Sequence, residues 1–114
     1  LSGDEELEYV ISHRTGIRKW DAGKRKGAYI FTLIGDEGST SGSDCSADRR
    51  RGKIGTCSIK DKGELGNLEK MRIRNTSQDS WTIKTFTVKV DGKLVGKWTG
   101  SKTVPKFSTV DIFF

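Results

Sequence analysis

Few side chains in this 114-residue sequence are of types that do chemistry, and their spacing argues against a catalytic centre. His13 is the sole histidine; no serine or cysteine nucleophile motif surrounds it, and its place at the end of an apolar run predicts a surface role. Gly35-Asp36-Glu37-Gly38 reads as a turn and lacks the Lys-Ser/Thr ending of a phosphate loop. Glu64 and Glu69 are carboxylates around which the sequence defines no pocket. Cys45 and Cys57 with the distant His13 fall short of the three or four ligands that zinc needs. The chain is therefore read as non-enzymatic. The two cysteines lie 12 positions apart in a stretch poor in large apolar residues. They are read as a clip on a polar hairpin in an oxidising compartment, with two reduced thiols as the alternative.

Binding chemistry is more prominent. Lys and Arg outnumber Asp and Glu by 21 to 15, for a net charge of +6, a sign that favours phosphates, sulfates or acidic protein faces. Arg49-Arg50-Arg51-Gly52-Lys53 concentrates that charge. Trp20 stands between Lys19 and Asp21, close to Arg18, Lys24, Arg25 and Lys26, with no apolar pattern nearby to bury it. An indole among cations has the composition of a membrane-interface contact, because the ring prefers the headgroup region while Lys and Arg meet lipid phosphates. Folding back over its own loop is the competing role for Trp20. Nucleic acid ranks low as a partner, since Tyr29, Phe31 and Phe86 lie in runs that face a core instead of an open stacking platform.

These residues need a scaffold, and the chain length allows one domain. Apolar and charged residues each make up 32% of it, and ten aromatics supply a small core. No apolar run reaches the roughly 18 to 20 residues that cross a bilayer as a helix. The acidic start at residues 1–6 is read as a flexible lead to a domain over 7–114, and the absence of an initiator Met suggests a processed chain or part of a larger protein. Short apolar or alternating runs predict strands over 7–12, 28–34, 54–60, 68–74, 81–90, 94–98 and 107–114, with a weak polar one near 43–47. Residues 82–90 are read as one uninterrupted alternation. Asp91-Gly92 has the chemistry of a two-residue hairpin turn. Helical periodicity is absent, so the pattern predicts an all-β, eight-stranded antiparallel sandwich. If successive loops alternate between its ends, residues 13–26, 48–53, 75–80 and 99–106 share one end. That end carries twelve basic against three acidic residues, about +9; the opposite end carries two against five, about −3.

Several segments in order resemble the PLAT (lipoxygenase-homology) domain: Tyr9 to Ile11, Arg14-Thr15-Gly16, Ala22-Gly23, Tyr29 through Gly38, and Gly63-Glu64-Leu65-Gly66-Asn67-Leu68 leading into Glu69 to Arg74. A loop closing on Trp81 and the Val88-Lys89-Val90 strand follow as in that family. The resemblance implies a β-sandwich module that docks membranes or partner proteins and positions a catalytic or channel domain, in extracellular or membrane-associated settings. It also brings in calcium as a cofactor. Many members carry Thr-Asp after Ala-Gly, and the Asp helps bind the ion; this chain has Lys24-Arg25 there, a cation where a divalent metal needs an oxygen. Asp79 matches an acidic position that assists such a site, and Asp21 is the local substitute. Cys57 falls where the family commonly has an aromatic, which favours pairing with Cys45. The expected docking set is Arg18, Lys19, Trp20, Lys24, Arg25, Lys26, Arg49, Arg50, Arg51 and Lys53, facing an anionic membrane surface or an acidic protein partner.

Overall fold

The computed structural model describes residues 6–24, 28–61 and 65–114. Residues 1–5 of the expected lead, and Arg25 and Lys26 of the expected docking set, lie outside the described residues. The runs rich in β-branched and aromatic residues form eight strands: β1 (Leu7–Thr15), β2 (Tyr29–Gly35), β3 (Ser43–Asp44), β4 (Ile54–Asp61), β5 (Leu68–Asn75), β6 (Trp81–Val90), β7 (Lys93–Val104) and β8 (Thr109–Phe113). They pair antiparallel in two four-stranded sheets, ordered β4-β1-β6-β7 and β3-β2-β5-β8. The all-β, eight-stranded sandwich expected of the sequence is what forms.

Period-two alternation turns one face of each sheet inward. Tyr9 and Ile11 of β1, Ile59 of β4, and Ile83, Phe86 and Val88 of β6 meet Tyr29, Phe31 and Leu33 of β2, Met71 and Ile73 of β5, and Ile112 of β8. Burying each such side chain contributes roughly 1.5–3 kcal/mol. Arg72 and Arg74 of β5 point to solvent, as alternation requires. Asp91 and Gly92 both take positive φ, 52° and 77°, which is the mirror-image turn a two-residue hairpin demands.

Three local expectations are corrected. His13 is not a surface residue: it is 1% exposed, packed edge-on to Trp81 with ring centroids 4.7 Å apart and close to Phe31 and Phe86. It continues the inward alternation of Tyr9 and Ile11 along β1, and the aromatic residues of β6 and of the facing β2 close over it. The alternation along β6 is also broken. Ile83 and Phe86 both point inward because Lys84 is an extra residue against β1, where Arg14 pairs with Thr85 and Thr15 with Ile83. Finally, residues 99–104 are not loop but the second half of β7. A bulge absorbs the Gly100-Ser101 interruption, and pairing with β6 resumes through Thr103 and Val104.

The buried His13 makes stability depend on pH. Burial lowers its pKa from 6.5 to about 3, and the nearby Arg49 guanidinium adds to the shift. Between those values the unfolded chain binds a proton that the folded chain refuses, so stability is complete above pH 6.5 and falls as the solution is acidified towards pH 3. The expected slope from this residue is about 1.4 kcal/mol per pH unit. Urea unfolding of wild type and His13→Phe at several pH values in that window checks it: the variant should lose this slope.

Candidate functional site

The four loops expected to share an end do so, and backbone hydrogen bonds show how. The β1–β2 loop meets the β3–β4 loop through Gly52 N to Gly16 O (3.0 Å) and Gly23 N to Arg49 O (3.0 Å). It meets the β5–β6 loop through Thr76 N to Ala28 O (2.8 Å), and that loop meets the β7–β8 turn through Phe107 N to Ser77 O (3.1 Å). Asn75, 1% exposed, ties the group together. Its Nδ2 donates to the carbonyls of Asp79 (2.7 Å) and Pro105 (3.1 Å), and its Oδ1 accepts from Ser77 N (2.9 Å).

Trp20 sits on a turn that the chain builds for it. Asp21 N donates to Arg18 O and Arg18 N donates to Asp21 Oδ2, both at 3.0 Å. Asp21 itself is held against β6 by Thr82 N to Asp21 O at 3.0 Å and is 2% exposed. A side chain at Gly16 would strike that carboxylate, since a Cβ there would lie 2.1 Å from Asp21 Oδ2. With Asp21 turned in, Arg18, Lys19 and Trp20 turn out, and Trp20 is 69% exposed. Folding back over its own loop is thus not what the indole does.

Cys45 and Cys57 form a disulfide with Cα atoms 5.7 Å apart. Cys45 follows β3, the edge of one sheet, and Cys57 lies in β4, the edge of the other, so the bond staples the two sheets covalently along one edge. Closing a loop of this length contributes about 3 kcal/mol. Reduction should therefore lower the melting temperature by roughly 10 °C, and circular dichroism melts with and without reductant measure it.

In the arginine run, the members separate. Arg50 and Arg51 are exposed, and Arg50 makes a two-pronged ion pair with Asp48, at 3.0 and 2.8 Å. Lys53 and Lys24 are exposed as well. Arg49 is not available to a partner: it is 1% exposed. Its guanidinium lies over the rings of Tyr29 (4.8 Å), Trp81 (4.9 Å) and Phe31 (5.6 Å) and donates to the carbonyls of Lys24 (3.0 Å) and Cys45. The cation is desolvated, and burial lowers its pKa to about 10, which leaves it charged at neutral pH. Its work is to hold two loops onto the aromatic core.

Three exposed apolar side chains escaped the sequence reading. Ile17 (77% exposed) is two positions from Arg18's neighbour Lys19 in the Trp20 loop, Ile54 (64%) opens β4 beside Lys53, and Phe107 (64%) tops the β7–β8 turn. Phe107 has φ 52°, a left-handed conformation costly for a bulky side chain. Ile17 is a single apolar residue in a polar loop, while Ile54 and Phe107 open runs read as strands, so nothing in the sequence marks any of them as exposed.

A calcium ion does not fit the residues proposed for it. The Asp21 carboxylate faces inward and accepts a backbone N–H, while Asp79 contributes its carbonyl to Tyr29 Oη and Asn75 Nδ2 and leaves its carboxylate exposed. Among the described residues no group of three or more His, Cys, Asp or Glu side chains converges.

No family model and no curated protein matches the sequence. Solved structures do match in fold. A lipoxygenase, the Delta413-417:GS form of LOX, superposes with TM-score 0.80 at 10% identity, over 96% of this chain and 16% of its own. The alpha toxin from Clostridium absonum gives 0.68 at 19% identity, over 98% and 33%. Coral 8R-lipoxygenase, described as activated by calcium via a C2-like domain, gives 0.68 at 12% identity, over 93% and 16%. The chain thus spans about a sixth of the lipoxygenases and a third of the toxin. The architecture is the PLAT-like, or C2-like, β-sandwich.

Proposed function

We propose that the chain is a PLAT-family module that attaches, without catalysing a reaction, to anionic membrane surfaces through its multi-loop end. One observation carries this reading: Ile17, Trp20 and Phe107 stand exposed at the same end as the exposed cations Arg18, Lys19, Lys24, Arg51 and Lys53. Each cation close to an anionic surface contributes roughly 1 kcal/mol, and the apolar tips enter the headgroup boundary. Fixed positive charge takes the part that a bridging calcium ion would play. The inter-sheet disulfide suits an extracellular or otherwise oxidising setting.

Co-sedimentation with neutral and anionic vesicles tests the reading, in calcium and in chelator, at low and high salt. Binding should require anionic lipid and be unchanged by chelator. It should weaken as salt shortens the screening length from about 10 Å at 0.1 M to about 3 Å at 1 M. Absence of sedimentation in every condition would move the assignment to an acidic protein partner.

A further inference from the structure

Two strand irregularities coincide at a single lysine. Against β1, Lys84 is the extra residue of β6; against β7, it lies opposite the extra residue in the Gly100-Ser101 bulge, since Ile83 pairs with Lys102 and Thr85 with Thr99. Bulges cluster where a sheet must re-aim a side chain. Here they bring Lys84 Nζ to 3.0 Å from Ser101 Oγ, and one step along the ladder the hydroxyls of Thr82 and Thr103 meet at 2.9 Å. Facing them is the Trp20 turn. Between turn and hairpin runs a cleft of about 160 Å³, lined by Arg18, Trp20, Asp21, Lys84, Ser101 and Thr103 among others. Lys84 also lines a second, wider cleft, which is walled by Ile17 and Thr85. Lys84 thus lines both clefts, one with Trp20 and one with Ile17, the two apolar side chains that the Trp20 loop projects.

We propose that the Trp20 cleft takes the phosphate of an anionic phospholipid headgroup, held by Arg18, Lys84 and the Ser101 and Thr103 hydroxyls, while Trp20 and Ile17 enter the lipid. This rests on the membrane reading above and adds a defined site to it. The chemistry of the lining supports it: two cations and several hydroxyl donors are what a phosphodiester or phosphomonoester oxygen recruits. Asp21 is the acidic group at the cleft, and it is 2% exposed with Oδ2 accepting the Arg18 N–H. The source is a lipid and not a soluble anion because the cleft is rimmed by Trp20 at 69% exposure, with Ile17 at 77% in the second cleft, apolar surface that a free phosphate would leave in water.

The test compares Lys84→Gln, Lys84→Arg and Lys93→Gln with wild type, on phosphatidylcholine vesicles containing phosphatidate. Lys93 is an exposed lysine at the opposite end of the same hairpin. Lys84→Gln should lower affinity about tenfold, the scale of one charge-assisted hydrogen bond, and Lys84→Arg should recover most of it. Lys93→Gln should leave affinity within about twofold, being further from the surface than the screening length. Short-chain phosphatidate should shift the NMR signals of the Trp20 indole and the Ser101 amide. Equal, small losses for Lys84→Gln and Lys93→Gln would overturn the cleft and leave the membrane reading standing. Equal shifts from inorganic phosphate at the same concentration would overturn the lipid source. Failure of wild type to bind any vesicle would overturn the reading on which the site rests.

Discussion

Replacing Arg49 by alanine is expected to cost about 3–4 kcal/mol of folding stability, whereas Arg51→Ala, two positions on, should stay within about 0.5 kcal/mol. The neighbours in sequence differ because Arg49 is 1% exposed and Arg51 is exposed. Truncation removes a desolvated cation from three aromatic faces, worth about 2 kcal/mol in such settings. It also strips the carbonyls of Lys24 and Cys45 of their donor. Arg49→Met separates the contributions: it refills the volume but restores neither hydrogen bond, so it should recover part of the loss only. Urea unfolding of the three variants gives the comparison. A loss for Arg49→Ala no greater than that for Arg51→Ala would contradict the buried role.

The second large effect is expected on vesicle affinity. Trp20→Ala with Ile17→Ser should weaken binding to anionic vesicles about 100-fold, at roughly 1.5 kcal/mol for each apolar side chain withdrawn from the interface. Both side chains are exposed, at 69% and 77%, so the fold should be untouched and the melting temperature unchanged. Loss of binding with an unaltered melt is the diagnostic pairing. An unaltered affinity would show that charge alone attaches the module and that the tips stay in water.

The sandwich was legible because its strands are written in β-branched and aromatic alternation, and because Asp91-Gly92 marks the hairpin directly. Loop clustering followed from strand count alone. What failed were the places where one residue is added or one polar residue is buried. The bulge at Lys84 flips the phase of β6 without changing residue types, so counting alternate positions runs through it undetected. Arg49 did leave a trace. Cys45, Ala47 and Arg49 are buried while Ser46 and Arg50 are exposed, a period-two pattern that was hidden because its third member is a cation inside a run of cations. His13 left a trace of the same kind, since it continues the inward alternation of Tyr9 and Ile11, but its polar type and its place at the end of the run concealed it; its cover comes from Trp81, Phe86 and Phe31, residues distant in the chain. Trp20 was found from its cationic neighbours, while Ile17, Ile54 and Phe107 carry no comparable flag.

The opposed ends have a kinetic consequence. At the multi-loop end Arg18, Lys19, Lys24, Arg51, Lys53 and Lys106 are exposed against Asp79, while at the other Asp36, Glu37 and Asp91 are exposed against Lys93. In the field of a negative surface such a body experiences a torque before it touches anything, and arrives already oriented. On the proposed membrane reading, ionic strength would then act chiefly on the rate of arrival, and departure would be timed by how long the apolar tips remain inserted.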